Sequence, residues 1–235
     1  MKPYRQVPIQ ECHEPLVVIP LELFAIETPH PYIKCGADYQ GRSPYYLRQG
    51  VLDRLIKAQA GLQQIHPGWQ IQIFDAYRPV EVQQYMVDYT FAQTVAQREL
   101  DLAQLSEAQI EKIWQDVYTI WAIPSFDLKT PPPHSTGAAI DITLVDERGN
   151  LVDMGSPIDE MSDRSRPEYF ANCQDPVEQQ YHRHRQLLCQ IMTDVGFARH
   201  PDEWWHFSIG DQLWAWLSDR NNPQPTTSAY YGRAL

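Results

Sequence analysis

Pro133-His134-Ser135-Thr136-Gly137-Ala138-Ala139-Ile140-Asp141-Ile142-Thr143-Leu144-Val145 is the stretch whose reading decides the fold. A Ser-Thr-Gly turn hands the chain into an alternating run from Ala139 to Val145. Ile140, Ile142 and Leu144 share one face; Ala139, Asp141 and Thr143 share the other. This period predicts a strand whose apolar face packs, so Asp141 is presented on the opposite side. The pattern returns in Glu203-Trp204-Trp205-His206-Phe207-Ser208-Ile209, where Trp205, Phe207 and Ile209 oppose Trp204, His206 and Ser208. His206 is therefore offered as Asp141 is, from a strand with a greasy back. Alternation alone would set Glu203 and His206 on opposite faces, so Glu203 must sit in a turn before the strand, and His200-Pro201-Asp202 supplies one.

Outward from these two strands, Gln70-Ile71-Gln72-Ile73-Phe74 reads as a third, running into Asp75-Ala76-Tyr77-Arg78-Pro79. Pro79 biases Arg78 away from helix and leaves it at a strand end. Helices are predicted over 44–64, with Ser43-Pro44 opening it and His66-Pro67-Gly68 closing it, and over 80–99. Two more follow over 107–122, with Ser106 and Gln109 as a capping box, and over 176–194, stopped by Gly196. The aromatics Tyr85, Tyr89, Phe91, Trp114, Tyr118 and Trp121 read as core. Residues 124–133 hold four prolines and form an irregular approach to His134. Asp146-Glu147-Arg148-Gly149-Asn150 reads as a hairpin loop returning through Leu151 to Met154. Residues 1–42 read as an arm laid over the core, with Val17-Val18-Ile19 its one convincing strand, and 218–235 as a polar, weakly ordered tail. The expectation is one α+β domain spanning 1–235, a central antiparallel sheet flanked by helices with the chemistry on the sheet.

Composition narrows the partners. With 235 residues, 43% hydrophobic and 21% charged, the chain can bury a sizeable core. No run approaches 18 apolar residues, so no segment reads as a bilayer span. The start, basic but interrupted by polar residues and proline, does not read as a secretory signal, and a cytoplasmic location is expected. Cys12, Cys35, Cys173 and Cys189 contain no CxxC pair, which excludes a zinc ribbon and suits reduced thiols. A net charge of −11 disfavours a nucleic-acid partner. The densest basic stretch, Tyr181-His182-Arg183-His184-Arg185, reads as the solvated face of a helix.

His134, Asp141 and His206 together supply two neutral nitrogens and one carboxylate, three ligands for a catalytic Zn2+ that keeps an open position. Glu203 could then act as general base and return the proton to a leaving amine, and Arg78 could hold a tetrahedral oxyanion. The other six histidines (His13, His30, His66, His182, His184 and His200) read as surface or satisfied residues, and any of the chosen residues taken singly has a bland explanation. Their joint occurrence is what raises them above it.

That joint pattern resembles a known family. His134-x-x-Gly137-x-Ala139-x-Asp141 and Glu203-x-x-His206, with Asp75-Ala76-Tyr77-Arg78-Pro79 upstream and Met154-Gly155-Ser156 between, resemble the zinc D-alanyl-D-alanine dipeptidases over about residues 40–215. The resemblance implies His134, Asp141 and His206 as ligands of one Zn2+, Glu203 as base and Arg78 as the transition-state arginine. Pro132 stands where the family usually has Ser. The implied substrate is a small dipeptide, so a selective site must be short at both ends and pair both termini. Asp159 or Glu160 is the expected partner of the ammonium, and Ser135 or a backbone amide that of the carboxylate. Two other readings stand beside this one: a D,D-carboxypeptidase trimming peptidoglycan stems, and a non-catalytic zinc or peptide-binding module. Binding metal alone would need neither Glu203 nor Arg78, which argues against the second.

Overall fold

The computed structural model describes residues 2–220 and 227–234. Its strands are β1 (Leu16–Val18), β2 (Ala25–Ile26), β3 (Tyr46–Arg48), β4 (Gln70–Asp75), β5 (Ala139–Val145), β6 (Ala198–Arg199) and β7 (His206–Ser208). The helices are α1 (Pro31–Lys34), α2 (Gln49–Ile65), α3 (Val80–Gln97), α4 (Glu107–Val117), α5 (Pro176–Thr193) and α6 (Gln212–Ser218). Five strands form the main sheet in the order β2-β4-β5-β7-β6, and β1 pairs with β3 apart from it. The class is α+β with a single sheet-centred domain. The sheet is mixed, however, because edge strand β2 runs parallel to β4 while every other pair is antiparallel.

β5 is central and buried along its whole length. Its apolar face, Ile140, Ile142 and Leu144, packs with Leu55 and Leu62 of α2 and Leu188 and Met192 of α5 in the main core. Each such side chain contributes about 1.5–3 kcal/mol on burial, so a one-residue slip of this strand would be expensive. The second apolar cluster, Tyr32, Tyr39, Val82, Met86, Val117 and Trp121, is built by α1, α3 and the end of the α4 region.

Several expectations are corrected. The helix predicted from residue 44 begins at Gln49, because 46–48 pair with β1 as a strand; Ser43-Pro44 do not cap it. The helices expected to reach 99 and 122 end at Gln97 and Val117, although the Ser106–Gln109 capping box is present. Tyr85 is half-exposed rather than core. The return after residue 150 is one bridge, Val145 with Leu151, closed by Asp146 N donating to Asn150 O, not a strand. The supposed arm is part of the fold: β2 extends the main sheet, and Tyr32 and Tyr39 enter the second cluster. The tail is likewise no loose end over 227–234. Ala229 and Tyr231 are buried, Gln10 N donates to Ala229 O, and Ala234 N donates to Ser135 O; residues 221–226 lie outside the described residues. No helix among the described residues is long and apolar enough to cross a membrane.

The basic stretch 181–185 is also not simply solvated, since Arg185 is fully buried. Its guanidinium donates to Met154 O, Arg166 O and Ser156 Oγ, and stacks on Phe170 and Trp204. Helical spacing alone did not separate this arginine from its exposed neighbours. Three acceptors from a distant loop are what make its burial tolerable.

Candidate active site

Strand register brings the chemistry together. Asp141 stands opposite His206 in the β5–β7 ladder, and Ile140 opposite Phe207, so the parity expected of both strands is met. On the other side of β5, a bulge between Ile73 and Asp75 shifts the β4 register until Asp75 faces Asp141. Without that extra residue Asp75 would share a face with Ile73 and point into the apolar core; the bulge turns it to the site. His134 rides on a tight turn, Pro133–Thr136, ended by Gly137 at φ +70°. A Cβ on Gly137 would overlap Leu16, so both the left-handed backbone and the close approach require glycine.

The ligand atoms of His134, Asp141 and His206 all lie within 4.8 Å of one another. His134 Nδ1 is 2.8 Å from Ala76 O. A carbonyl only accepts, so Nδ1 carries the proton and Nε2 turns its lone pair inward. There Nε2 is 3.2 Å from His206 Nδ1 and 3.2 Å from Asp141 Oδ2, while His206 Nδ1 is 2.9 Å from Asp141 Oδ1. Two imidazole nitrogens and a carboxylate converging on one point, one ring fixed from behind, are a fitting donor set for a divalent transition metal.

Arg78 is held on every side. Nε donates to Asp75 Oδ2 at 2.9 Å, Nη1 to Gln83 Oε1 at 2.8 Å, and Nη2 to Tyr32 Oη at 3.1 Å and Asp141 Oδ2 at 3.2 Å. Tyr32 and Trp121 sandwich the guanidinium at 4.8 and 4.9 Å. Burial alone would raise the Asp75 carboxyl, but Arg78, His30 and His134 hold it well below the usual carboxylate range. Asp141 is held low in the same way, burial being outweighed by His134 and His206.

Glu203 lies in the irregular segment before β7, in the excursion closed by His200 N donating to His206 O. This is the turn that its position required. Its carboxylate is buried, 3.6 Å from His200 Nδ1 and 3.9 Å from His206 Nδ1. Burial, then the charge of Asp141, push it well above the ordinary glutamate value. Asp159 reaches the same cleft from the 155–162 loop, accepting from Tyr32 Oη at 3.0 Å. Burial and Asp141 raise it to about 7.

Ser135 and Glu160 are not brought there. Ser135 Oγ donates to Pro132 O at 2.7 Å, in its own turn. Glu160 is tied to Ser162 and lines a groove outside the cleft. Sequence reading also passed over four contributors. Asp75 was quoted only as motif, although its spacing from Arg78 is a local signal for an ion pair. His30, whose Nε2 is 3.2 Å from Asp75, and Tyr32 come from the N-terminal region and left no local signal. His200, set aside as bland, is buried against Glu203 and His206.

Comparison with known proteins places the chain in a family. Residues 26–225 match the Peptidase_M15 family, described as D-ala-D-ala dipeptidase. A D-alanyl-D-alanine dipeptidase of Synechocystis sp. is 54% identical over 239 residues, 99% of this chain and 97% of that protein. The D-alanyl-D-alanine dipeptidase of Escherichia coli is 37% identical over 146 residues, 60% of this chain and 56% of its own length. That of Enterococcus faecalis is 32% identical over 153 residues, 63% of this chain and 68% of its own.

Proposed function

The chain belongs to the M15 family of D-Ala-D-Ala dipeptidases, and from that premise we propose that it is a zinc peptidase hydrolysing free D-Ala-D-Ala to two molecules of D-alanine. The observation that carries the reading is the convergence of His134, Asp141 and His206 in a cleft that Arg78, Glu203 and Asp159 also line. Zinc held by these three would supply Lewis acidity, polarising the scissile carbonyl and acidifying the attacking water.

Glu203 takes a proton from that water and gives it to the leaving amine as the C–N bond breaks. Its raised basicity suits a group that must do both. Arg78 Nη2, already aimed between Tyr32 and Asp141, meets the negative charge that develops on the carbonyl oxygen. Four polar partners and two rings fix the guanidinium beforehand, so little reorganisation accompanies the reaction. Asp159 pairs with the substrate ammonium, and Tyr32, which accepts from Arg78 and donates to Asp159, sets the spacing between the two.

The test is metal analysis together with a panel of D-Ala-D-Ala, L-Ala-L-Ala and a pentapeptide stem. One zinc per chain and cleavage of the first substrate alone are expected. Less than one zinc, lost on changing His134, Asp141 or His206, is part of the expectation for those variants only; a substoichiometric parent protein sinks the mechanism. Cleavage of the stem in preference to the dipeptide would make it a D,D-carboxypeptidase instead. Glu203→Ala should keep its zinc and lose about 100- to 10,000-fold in kcat.

A further inference from the structure

The free space at the cleft is small, about 30 Å³. Beside it runs an open groove of about 1070 Å³, floored by α3, the end of the α4 region and the 159–166 loop. Three residues border both: Lys2, Ile120 and Asp159. They mark the border between the two spaces, called the neck below, and on its cleft side stands Tyr4, buried to 6% exposure. The segment that carries Lys2 and Tyr4 is no stray end. Its turn, Pro3–Gln6, packs on α6. Gln212 Nε2 donates to Val7 O at 2.7 Å, and Arg5 Nη2 to Ile123 O at 2.9 Å. Gln10 N and Cys12 N donate to Ala229 O and Tyr230 O at 2.8 and 3.0 Å, tying the segment that follows to the C-terminal segment. Lys2 lines the cleft together with Glu203 and His200, near enough for its positive charge to act on both.

We propose that residues 2–6 are a roof that sets substrate length, with Tyr4 filling the cleft's upper space and Lys2 closing the neck against peptides extended at their amine end. The inference rests on the dipeptidase reading and on Asp159 as the ammonium's partner. A free ammonium ends the substrate at Asp159, inside the neck. An acylated amine removes the charge that pairs with Asp159 and adds chain that has to pass between Asp159, Ile120 and Lys2 into the groove. The groove can take that chain; the neck, roofed by Lys2 and Tyr4, does not let it through. Charge and sterics therefore act at the same point, and only the steric part belongs to the roof.

The experiment compares kcat/KM for D-Ala-D-Ala and for a diacetylated L-Lys-D-Ala-D-Ala tripeptide in the zinc-loaded protein, unaltered and as Tyr4→Ala, Lys2→Ala and a deletion of residues 2–6. Removing the roof is expected to raise kcat/KM for the tripeptide in absolute terms and to raise the tripeptide-to-dipeptide ratio at least tenfold, most in the deletion. The point variants keep the anchors at Val7, Gln10 and Cys12, so the result does not hang on whether the deletion folds. A ratio unchanged in Tyr4→Ala and Lys2→Ala, or a parallel fall on both substrates, overturns the roof. Hydrolysis of the dipeptide by the unaltered protein reports on the proposed function alone; if that fails, the function falls for its own reason.

Discussion

Two buried arginines, Arg78 and Arg185, are solved in opposite ways. Each is almost wholly excluded from solvent, and each lies between two aromatic rings. Arg78 faces carboxylates, Asp75 and Asp141, and its pKa is driven above the ordinary value despite burial. Arg185 faces only neutral oxygens, and burial with Arg164 and Arg199 nearby pulls it down to about 10. At neutral pH both stay charged. The difference separates two uses of a buried cation: neutral oxygen acceptors make a clamp, whereas carboxylates shared with a candidate metal site make a charge held ready for something else. The two meet at one loop. Arg185 holds Met154 O and Ser156 Oγ, Ser156 Oγ also accepts from Trp204 Nε1, and the loop so pinned delivers Asp159 to Tyr32 and thence to Arg78.

The sharpest way to break the comparison is to truncate each arginine in turn. Arg78→Ala should lower kcat by about 100- to 1,000-fold, with a smaller change in KM. If KM rises while kcat holds, Arg78 is a substrate-binding group and the contrast dissolves. Arg185→Ala should show the reverse signature. Leaving the acceptors of Met154, Arg166 and Ser156 without their donor costs about 3 kcal/mol of stability, read from denaturant midpoints, while kcat per zinc-loaded molecule falls far less than in Arg78→Ala, and what loosening of the Asp159 loop does to the substrate is read as a rise in KM. Equal losses of kcat in both variants would mean that neither role is separable.

The smallest effect tests the loop that joins them. Between the unfolded value near 4 and the folded value of about 7, the native state holds the Asp159 proton that the unfolded chain has released. Native protein then binds more protons than unfolded, so stability falls as pH rises through that window. Chelated protein should lose about 2 kcal/mol between pH 5 and pH 7 from this group. Asp159→Asn keeps an acceptor for Tyr32 and should flatten that slope, in pH-dependent denaturant titrations. A parent with no such slope would place Asp159 in water rather than in the cleft.

Much of the site was legible because it lies on two short periodic segments. Asp141 and His206 each sit opposite an apolar face, and burying Ile140 and Phe207 leaves no choice of side. His134 follows from the glycine turn ahead of β5, and Glu203 from a parity conflict that only a turn relieves. Arg78 follows from Pro79. By contrast, the helix start at Gln49 was misplaced because the pairing of 46–48 with β1 overrides a favourable local cap. Ser135 was a reasonable ligand for a carboxylate until its hydroxyl was claimed by Pro132 O three residues away.

The sequence by itself determined which face of each site strand is apolar, the class of chemistry its donor residues could perform, and the family, since period-two patterning and donor valences are local properties. Tertiary structure alone decided what surrounds them. The β4 bulge turned Asp75 to the site, residues 30–39 brought His30, Tyr32 and Tyr39 to it, and Lys2 and Tyr4 came to line it. None of these follows from spacing along the chain, because each depends on the register between strands or on which distant segment fills the space above them.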